Sequence, residues 1–427
     1  MGGEWDTATI DEVAERVAMG PFGSSIKVET FVAQGVPVIS GQHLHGFRLD
    51  ETSGFNFLSP EHANRLKNAN VQKGDIIFTH AGNIGQVSYI PESSEYERYV
   101  ISQRQFYMRC NRQRVIPEFV VYYFNTPEGR HKLLANTSQV GVPSIAQPVT
   151  YLRTIEIPLP PLPEQRAIAH ILGTLDDKIE LNRRMNDTLE AIAQPIFKSW
   201  FVNFDPVRAK MEGHWKKGEN LPCLPARLWD LFPDSFEDSE LGDIPRGWKV
   251  QRLGDIIELA YGKALKEENR RVGSIPVFGS NGQVGWHDQK LVDGPGIIVG
   301  RKGNPGIVTW APTDFFAIDT TFYVVPKNEC GSLHFLYYAL LGHDLASLGA
   351  DSAVPGLNRN LAYMNLQVSP QSNVIEGFDR QVKPLFDKTY ANKRESRTLA
   401  ALRDTLMPKL ITGELRLKDA EKIVGKS

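Results

Sequence analysis

Glycine-rich loops that carry amide, imidazole or guanidinium side chains recur along the chain. Two of the clearest are Gly279-Ser280-Asn281-Gly282 and Gly300-Arg301-Lys302-Gly303-Asn304. Arginine side chains bond to guanine edges, and asparagine or glutamine side chains bond to adenine edges. Glycine lets the main chain come close to a phosphate and turn its amide groups towards it. These residue types therefore favour the binding of bases and phosphates.

The candidate contact residues are polar side chains in such loops in both halves of the chain. They are Gln42, His43, His80, Asn83, Arg104, Arg112, Ser144, Gln147, Ser280, Asn281, Arg301, Lys302, Asn304, Asn358 and Arg359. For each one, a turn glycine beside a solvated side chain is the competing interpretation. As groups they favour binding, because the two halves place them at equivalent positions.

Basic residues are concentrated locally, although the whole chain is not basic. The formal net charge is -2, whereas proteins that bind nucleic-acid backbones usually carry a basic excess. The window from Arg98 to Arg114 nevertheless holds five arginines and no acidic residue. Within it, Arg104 and Arg112 are predicted to form a basic patch.

Motifs for catalysis, metal binding and nucleotide binding are missing. Residues 203–207, Asn-Phe-Asp-Pro-Val, lack the second proline and the aromatic residue of a methyltransferase catalytic loop. The glycines at 294–300 precede no helical pattern, and there is no Gly-x-x-x-x-Gly-Lys-Ser/Thr phosphate loop. Cys110, Cys223 and Cys330 are too scattered for a zinc site or a disulfide framework. We expect no catalytic residue, metal or cofactor in this chain.

Length and composition predict a soluble protein with two or three cores. The chain has 427 residues, of which 41% are hydrophobic and 23% charged. No apolar run reaches the length of a membrane span, and the acidic N-terminus is unlike a secretory signal. A cytoplasmic location is expected.

An internal repeat covers almost the whole chain. Four pairs of segments match in the same order: 5–20 with 248–262, 36–42 with 275–281, 73–87 with 294–308, and 142–152 with 354–364. The third pair shares the pattern Gly-Asn-x-Gly. The chain is therefore predicted to be duplicated, each half being a globular unit followed by a long helix.

The predicted fold class is α+β, with two similar, mostly β domains separated by two long antiparallel helices that form a coiled-coil spacer. Short apolar runs bounded by Gly, Pro, Asn and Asp indicate the strands. Residues 117–134 and 332–348 are predicted to form short helices. The predicted divisions follow in chain order. The first domain is 1–157, the proline lead-in with the central helix is 158–205, and the linker is 206–246. The second domain is 247–371, and the C-terminal helix with its tail is 372–427.

Both long segments carry apolar residues at coiled-coil spacing. The rows are Ile168, Leu175, Asn182, Leu189 and Ile196 with Leu172, Ile179, Asn186 and Ala193 in the first segment, and Phe378, Leu385, Asn392, Leu399 and Leu406 with Val382 and Thr389 in the second. Asn182 and Asn392 lie near the middles of their helices, where an antiparallel pair would bring them together and fix the register. The alternative is two unrelated amphipathic helices, each packed on its own domain.

The first long helix is flanked by two distinctive segments. The prolines of 158–163 make a stiff, extended lead-in to its first turn. As a helix, the segment of about 31 residues from Glu164 to Gln194 would span ~46 Å, slightly more than one turn of duplex DNA. At the far end, four aromatic residues form a predicted docking surface for a partner, or else pack against the linker: Phe197, Trp200, Phe201 and Phe204.

Residues 158–207 closely resemble the central conserved region of the specificity (S) subunits of Type I restriction-modification enzymes. Residues 231–250 resemble the stretch that leads into the second target-recognition domain of those subunits. Further pieces similar to these domains and to the family's C-terminal region are residues 275–285, 294–306, 315–324, 353–364 and 406–417.

The resemblance implies a non-catalytic subunit that reads a bipartite, gapped sequence in double-stranded DNA, one half-site per target-recognition domain. It implies two modification subunits on the conserved helices, which methylate adenine with S-adenosylmethionine. Restriction subunits would add ATP-driven translocation and cleavage, with ATP and magnesium bound to the partners. The competing function is a duplicated protein-interaction scaffold that does not recognise DNA sequence.

Overall fold

The computed structural model describes residues 5–23, 25–138, 141–222, 224–327, 331–349, 356–417 and 419–420. Cys223, Cys330 and the start of the repeat segment 354–364 lie outside these ranges. The chain forms two compact units, which we call the first unit (Met1–Leu181 with Glu395–Ser427) and the second unit (Asn182–Arg394). Both unit boundaries therefore fall inside the long helices.

The first unit consists of short strands with a few short helices. Its strands are Thr7–Thr9, Ala14–Met19, Phe31–Val32, Val36–Ile39, Asn56–Leu58, Asn70–Gln72, Asp75–Thr79, Val87–Tyr89, Arg98–Ile101, Gln105–Cys110, Thr137–Ser138, Ser144–Ile145 and Glu156–Pro158. Its short α-helices are Ile10–Val13, Pro60–Arg65, Pro117–Asn125, Pro127–Leu134 and Pro148–Thr154. The helix predicted over 117–134 is thus two helices, because Thr126 ends the first and caps the second by accepting a 3.0 Å bond from Gly129 N.

The second unit likewise consists of short strands with a few short helices. Its strands are Phe236–Glu237, Ile244–Pro245, Lys249–Arg252, Ile257–Tyr261, Ile275–Gly279, Gly282–His287, Gly296–Gly300, Val308–Ala311, Phe316–Ala317, Thr321–Pro326 and Leu366–Ser369. Its short α-helices are Asp205–Met211, Leu253–Ile256, Leu333–Gly342 and Arg359–Met364.

The two units have a four-stranded sheet with the same strand order and a second sheet that contains one parallel pair. The four-stranded antiparallel sheet runs Ala14–Met19, Gln105–Cys110, Asp75–Thr79, Val87–Tyr89 in the first unit, and Ile257–Tyr261, Thr321–Pro326, Gly296–Gly300, Val308–Ala311 in the second. The other main sheet contains one parallel pair in each unit: Val36–Ile39 with Arg98–Ile101, and Ile275–Gly279 with Phe316–Ala317. The predicted repeat and the α+β class are confirmed, since matched sequence segments form matched strands.

The long helices are Leu162–Phe201 and Ser372–Ile411, each of 40 residues. They pair antiparallel within each unit. In the first unit, Asp176 contacts Arg403 at 2.6 Å, and Lys178 contacts Glu395 at 3.5 Å. The residue number thus rises along the first helix while that of the partner falls along the second. The predicted apolar rows hold buried and half-buried positions, and most of their apolar residues belong to the cores of the two units. Leu172 and Phe378 are fully buried, whereas Leu189 and Leu385 are half-buried.

The two seam asparagines are both buried, Asn182 at 0% and Asn392 at 1% exposure. Asn392 Nδ2 donates to Asn186 Oδ1 at 2.9 Å, and Asn182 Nδ2 donates to the main-chain oxygen of Asn392 at 3.5 Å. The hydrogen bonds therefore cross the seam as predicted, but Asn186 is the side-chain partner.

The predicted docking surface is wrong, and the alternative of packing against the linker is what the structure shows. The four aromatic residues are 1% to 8% exposed and belong to the core of the second unit: Phe197, Trp200, Phe201 and Phe204. Trp200 packs edge-on against Phe232, with ring centroids 4.9 Å apart. The segment 206–246 folds over this cluster, and its Trp215 is fully buried.

Trp200→Ala is therefore expected to destabilise the second unit by about 3–5 kcal/mol, because it opens a large cavity in a packed core. Val202, two residues away and 56% exposed, supplies the control: Val202→Ala is expected to change stability by about 0.5 kcal/mol or less. Scanning calorimetry of the full chain measures both. An unfolding transition of Trp200→Ala that matches the wild type would contradict the core assignment.

Candidate nucleic-acid interface

In the first unit, three loops meet where strands of both sheets end. The amide of His80, just after strand Asp75–Thr79, donates to Arg104 O at 2.9 Å. Gln86 Nε2, in the same loop, donates to Gly41 O at 3.0 Å. The loop before strand Ser144–Ile145 joins them, because Gly82 N donates to Pro143 O at 3.1 Å.

The second unit repeats two main-chain bonds of this arrangement. Arg301 N donates to Thr320 O at 2.9 Å, as His80 N does to Arg104 O. Leu357 N donates to Arg301 O at 2.9 Å, matching the bond from Ile145 N to His80 O at 2.8 Å. The side chains of His80 and Arg301 also agree, since each bonds to a main-chain oxygen, that of Gln103 and that of Asp319.

The shared Gly-Asn-x-Gly pattern forms the same turn in both units. Gly82 and Gly85 have φ of +85° and +81°, and Gly303 and Gly306 both have +81°. Other residues rarely adopt this left-handed conformation, so the pattern requires glycine. A Cβ on Gly306 would also lie 2.4 Å from Ala346 N. The turn places an exposed asparagine, Asn83 or Asn304, at its tip.

Most of the predicted contact residues lie in these two clusters with exposed or half-exposed side chains. In the first unit they are Gln42, His80, Asn83, Arg104, Ser144 and Gln147, and in the second Ser280, Asn281, Arg301, Lys302, Asn304, Asn358 and Arg359. Asn358 has a structural task as well, because its side-chain oxygen caps helix Arg359–Met364 by accepting bonds from the amides of Asn360 and Leu361. Asn304 and Asn281 hydrogen-bond to each other.

Two predicted contact residues are corrected by the structure. His43 is 1% exposed and stacks on Phe55, with Nδ1 accepting from Ser40 N at 3.0 Å and Nε2 donating to Gly54 O at 2.9 Å. Its ring therefore has no free edge for a base. Arg112 lies beside Gly74, at the opposite end of strand Asp75–Thr79 from the loops.

The predicted basic patch is also wrong, because acidic residues distant in sequence neutralise part of it. Arg112 pairs with Glu92 at 2.6 Å. Arg109 forms two 2.7 Å bonds to the carboxylate of Asp75, which is 1% exposed. Burial raises the pKa of Asp75, while the bonds from Arg109 and from the amide of Gln72 act against that rise. Of the two predicted patch residues, Arg104 alone lies at the loops.

Sequence reasoning missed Tyr261, which is 50% exposed at the end of strand Ile257–Tyr261. The guanidinium carbons of Arg301 and Arg359 lie 4.8 Å and 4.9 Å from the centroid of its ring. The repeat alignment offers a signal for this residue. It places Tyr261, directly before Gly262, opposite Met19, directly before Gly20, so the aromatic ring is a difference between the two halves.

The described residues contain no group of three or more His, Cys, Asp or Glu placed to hold a metal ion. In the same part of the chain, no helix has the length and apolar character to cross a membrane. Burial raises the pKa of Cys110, which therefore stays a neutral thiol. The clusters offer hydrogen-bond donors, acceptors and cations.

Residues 2–191 and 245–360 match the family described as Type I restriction modification DNA specificity domain. The chain belongs to this family. It is 26% identical over 408 residues to the Type I restriction enzyme HindI specificity subunit of Haemophilus influenzae, covering 81% of this chain and 87% of that protein. It is 24% identical over 441 residues to the MjaIX specificity subunit of Methanocaldococcus jannaschii, covering 97% and 94%.

A solved structure shows the same fold. The crystal structure of the Type-I restriction-modification system S subunit from M. genitalium superposes with a TM-score of 0.58 at 20% identity, covering 95% of this chain and 96% of that one. As a member of the DNA specificity family, the chain recognises DNA sequence within a Type I restriction-modification system. The prediction of DNA recognition is confirmed, and the protein scaffold without sequence recognition is set aside.

Arg109→Ala is expected to destabilise the first unit by about 3 kcal/mol, because it leaves the buried carboxylate of Asp75 without its partner. Arg112→Ala removes an ion pair whose side chains are 56% and 66% exposed, and should cost about 1 kcal/mol or less. Calorimetry of both variants compares the two. Equal, small effects would show that the Arg109–Asp75 pair is not a structural element.

Proposed function

We propose that this chain is the non-catalytic specificity subunit of a Type I complex and reads a bipartite, gapped sequence in duplex DNA, one half-site per domain. The observation that carries the proposal is the repeated loop frame with divergent side chains. At equivalent positions the first and second units hold Gln42 and Asn281, His80 and Arg301, Arg104 and Thr320, and Gln147 and Arg359. A shared frame presents both sets, and different donors select different bases.

Asymmetry of the target follows from that divergence. Identical loops would favour two copies of one half-site, as identical subunits do at palindromes. Here the positive charge also differs: the first cluster has Arg104, and the second has Arg301, Lys302 and Arg359. The two halves of the target should therefore differ in sequence.

The antiparallel helices supply the spacer in this proposal. Their seam buries Asn182 and Asn392, and a buried polar pair favours the one register in which its hydrogen bonds form. A fixed register would fix the number of base pairs between the half-sites.

In this proposal, the partner subunits carry out the catalytic reactions. Two modification subunits, which we place on the conserved helices, would methylate adenine with S-adenosylmethionine. Restriction subunits would bind ATP and magnesium and carry out translocation and cleavage. The resemblance of residues 158–207 to the conserved region of the family supports this division of labour.

Methylation-sensitive sequencing of host DNA tests the proposal. Deleting the gene for this chain should abolish one gapped N6-methyladenine motif, and re-expression should restore it. An unchanged methylation pattern after deletion would refute the proposed function.

Arg104→Ala should relax or lose one base preference in one half of that motif, because it removes an exposed guanidinium from the first cluster. The expected loss of discrimination corresponds to about 1–3 kcal/mol. Arg112→Ala, in the same unit but at the other end of the strand, is the matched control and should leave the motif as it is. If both variants changed the motif equally, the interface would not lie at the loops of the first cluster.

A further inference from the structure

Tyr261 holds two arginine side chains at the edge of the second cluster. The guanidinium carbons of Arg301 and Arg359 both lie within 5 Å of its ring centroid, at 4.8 Å and 4.9 Å. Each guanidinium has one further anchor on the main chain. Arg301 Nη1 donates to Asp319 O at 3.2 Å, and Arg359 Nη1 donates to Leu259 O at 3.3 Å.

The two guanidiniums are held by aromatic faces and main-chain oxygens instead of by acids. Among the described residues, the contacts of Arg301 and Arg359 are with aromatic rings and main-chain oxygens. Phe322 adds a second ring 5.7 Å from Arg301, and Tyr363 adds one 5.7 Å from Arg359. Arginine has five N–H donors, so one main-chain bond leaves the others available for a ligand.

The first unit has no such pair of cations at the equivalent positions. Met19 stands where Tyr261 stands, and His80 and Gln147 stand where the two arginines stand. The double-arginine arrangement is therefore a property of the second domain and not of the shared frame.

We propose that Arg301 and Arg359 each read a guanine in the half-site of the second domain, and that Tyr261 is the positioning residue for both. Guanine presents N7 and O6 side by side in the major groove, and a guanidinium bonds to both at once. A guanidinium already held over a ring and bonded to the main chain loses less freedom when it binds. The inference rests on the proposed function and adds the base identity of one half-site.

The test uses the complex of this chain with its modification subunits, and measures methylation of duplexes in which each base of the motif is varied. The half-site of the second domain is the one that Arg104→Ala leaves unchanged. It should contain two guanines. Arg301→Lys should relax the preference at one guanine, and Arg359→Lys at the other, each by tenfold or more, because lysine keeps the charge but cannot form the paired bonds.

The role of Tyr261 is tested by a conservative and a disruptive substitution. Tyr261→Leu should weaken both guanine preferences, and Tyr261→Phe, which keeps the ring, should restore them. An unchanged preference in the other half-site reports that each variant is folded.

Two results would overturn the inference: a half-site with fewer than two guanines, or lysine variants that lower methylation equally on every duplex, as phosphate contacts would. Either result leaves the proposed function standing, because a gapped motif would still depend on this chain. Loss of that dependence would refute the proposed function itself.

Discussion

The bonds between neighbouring strand ends are the constraint on which the recognition surface depends. One amide, of His80 in the first unit and Arg301 in the second, bonds to the residue just before the adjacent strand. The following residues then turn through two glycines with φ near +80°. Since main-chain atoms and glycines form much of this frame, exposed side chains at the loop tips can vary without loss of the fold. Such a frame allows one architecture to recognise many sequences.

Duplication explains why the chain can keep its fold while its two loop clusters diverge. The strand order of the four-stranded sheet and the main-chain bonds of His80 and Arg301 agree between the units, but the exposed side chains do not. The two clusters also differ in how side chains are held. The ring of Tyr261 contacts two guanidinium groups, whereas Met19, at the equivalent position, has no aromatic ring to offer them. Divergence at the loops above a shared four-stranded sheet is what selection for two different half-sites would produce.

The sequence predicted what is local or repeated, and failed where distant segments meet. Glycine patterns, strand runs and helix rows were read correctly because each depends on neighbouring residues. For the aromatic cluster around Trp200 the sequence leaves a docking surface and packing against the linker open, and only the folded linker shows that Phe232 covers it. The basic patch predicted from Arg104 and Arg112 is wrong because Glu92, distant in sequence, pairs with Arg112. The contact residues themselves remain predictions of the proposed function.

Hydrogen exchange of the complex with its modification subunits, bound to cognate or to scrambled duplex, tests the central claim that the two loop clusters contact the bases. The account predicts slower exchange of amides in residues 79–86 and 300–306 with the cognate duplex than with the scrambled one. Equal exchange of both loops on the two duplexes, with protection confined to other surfaces, would contradict it.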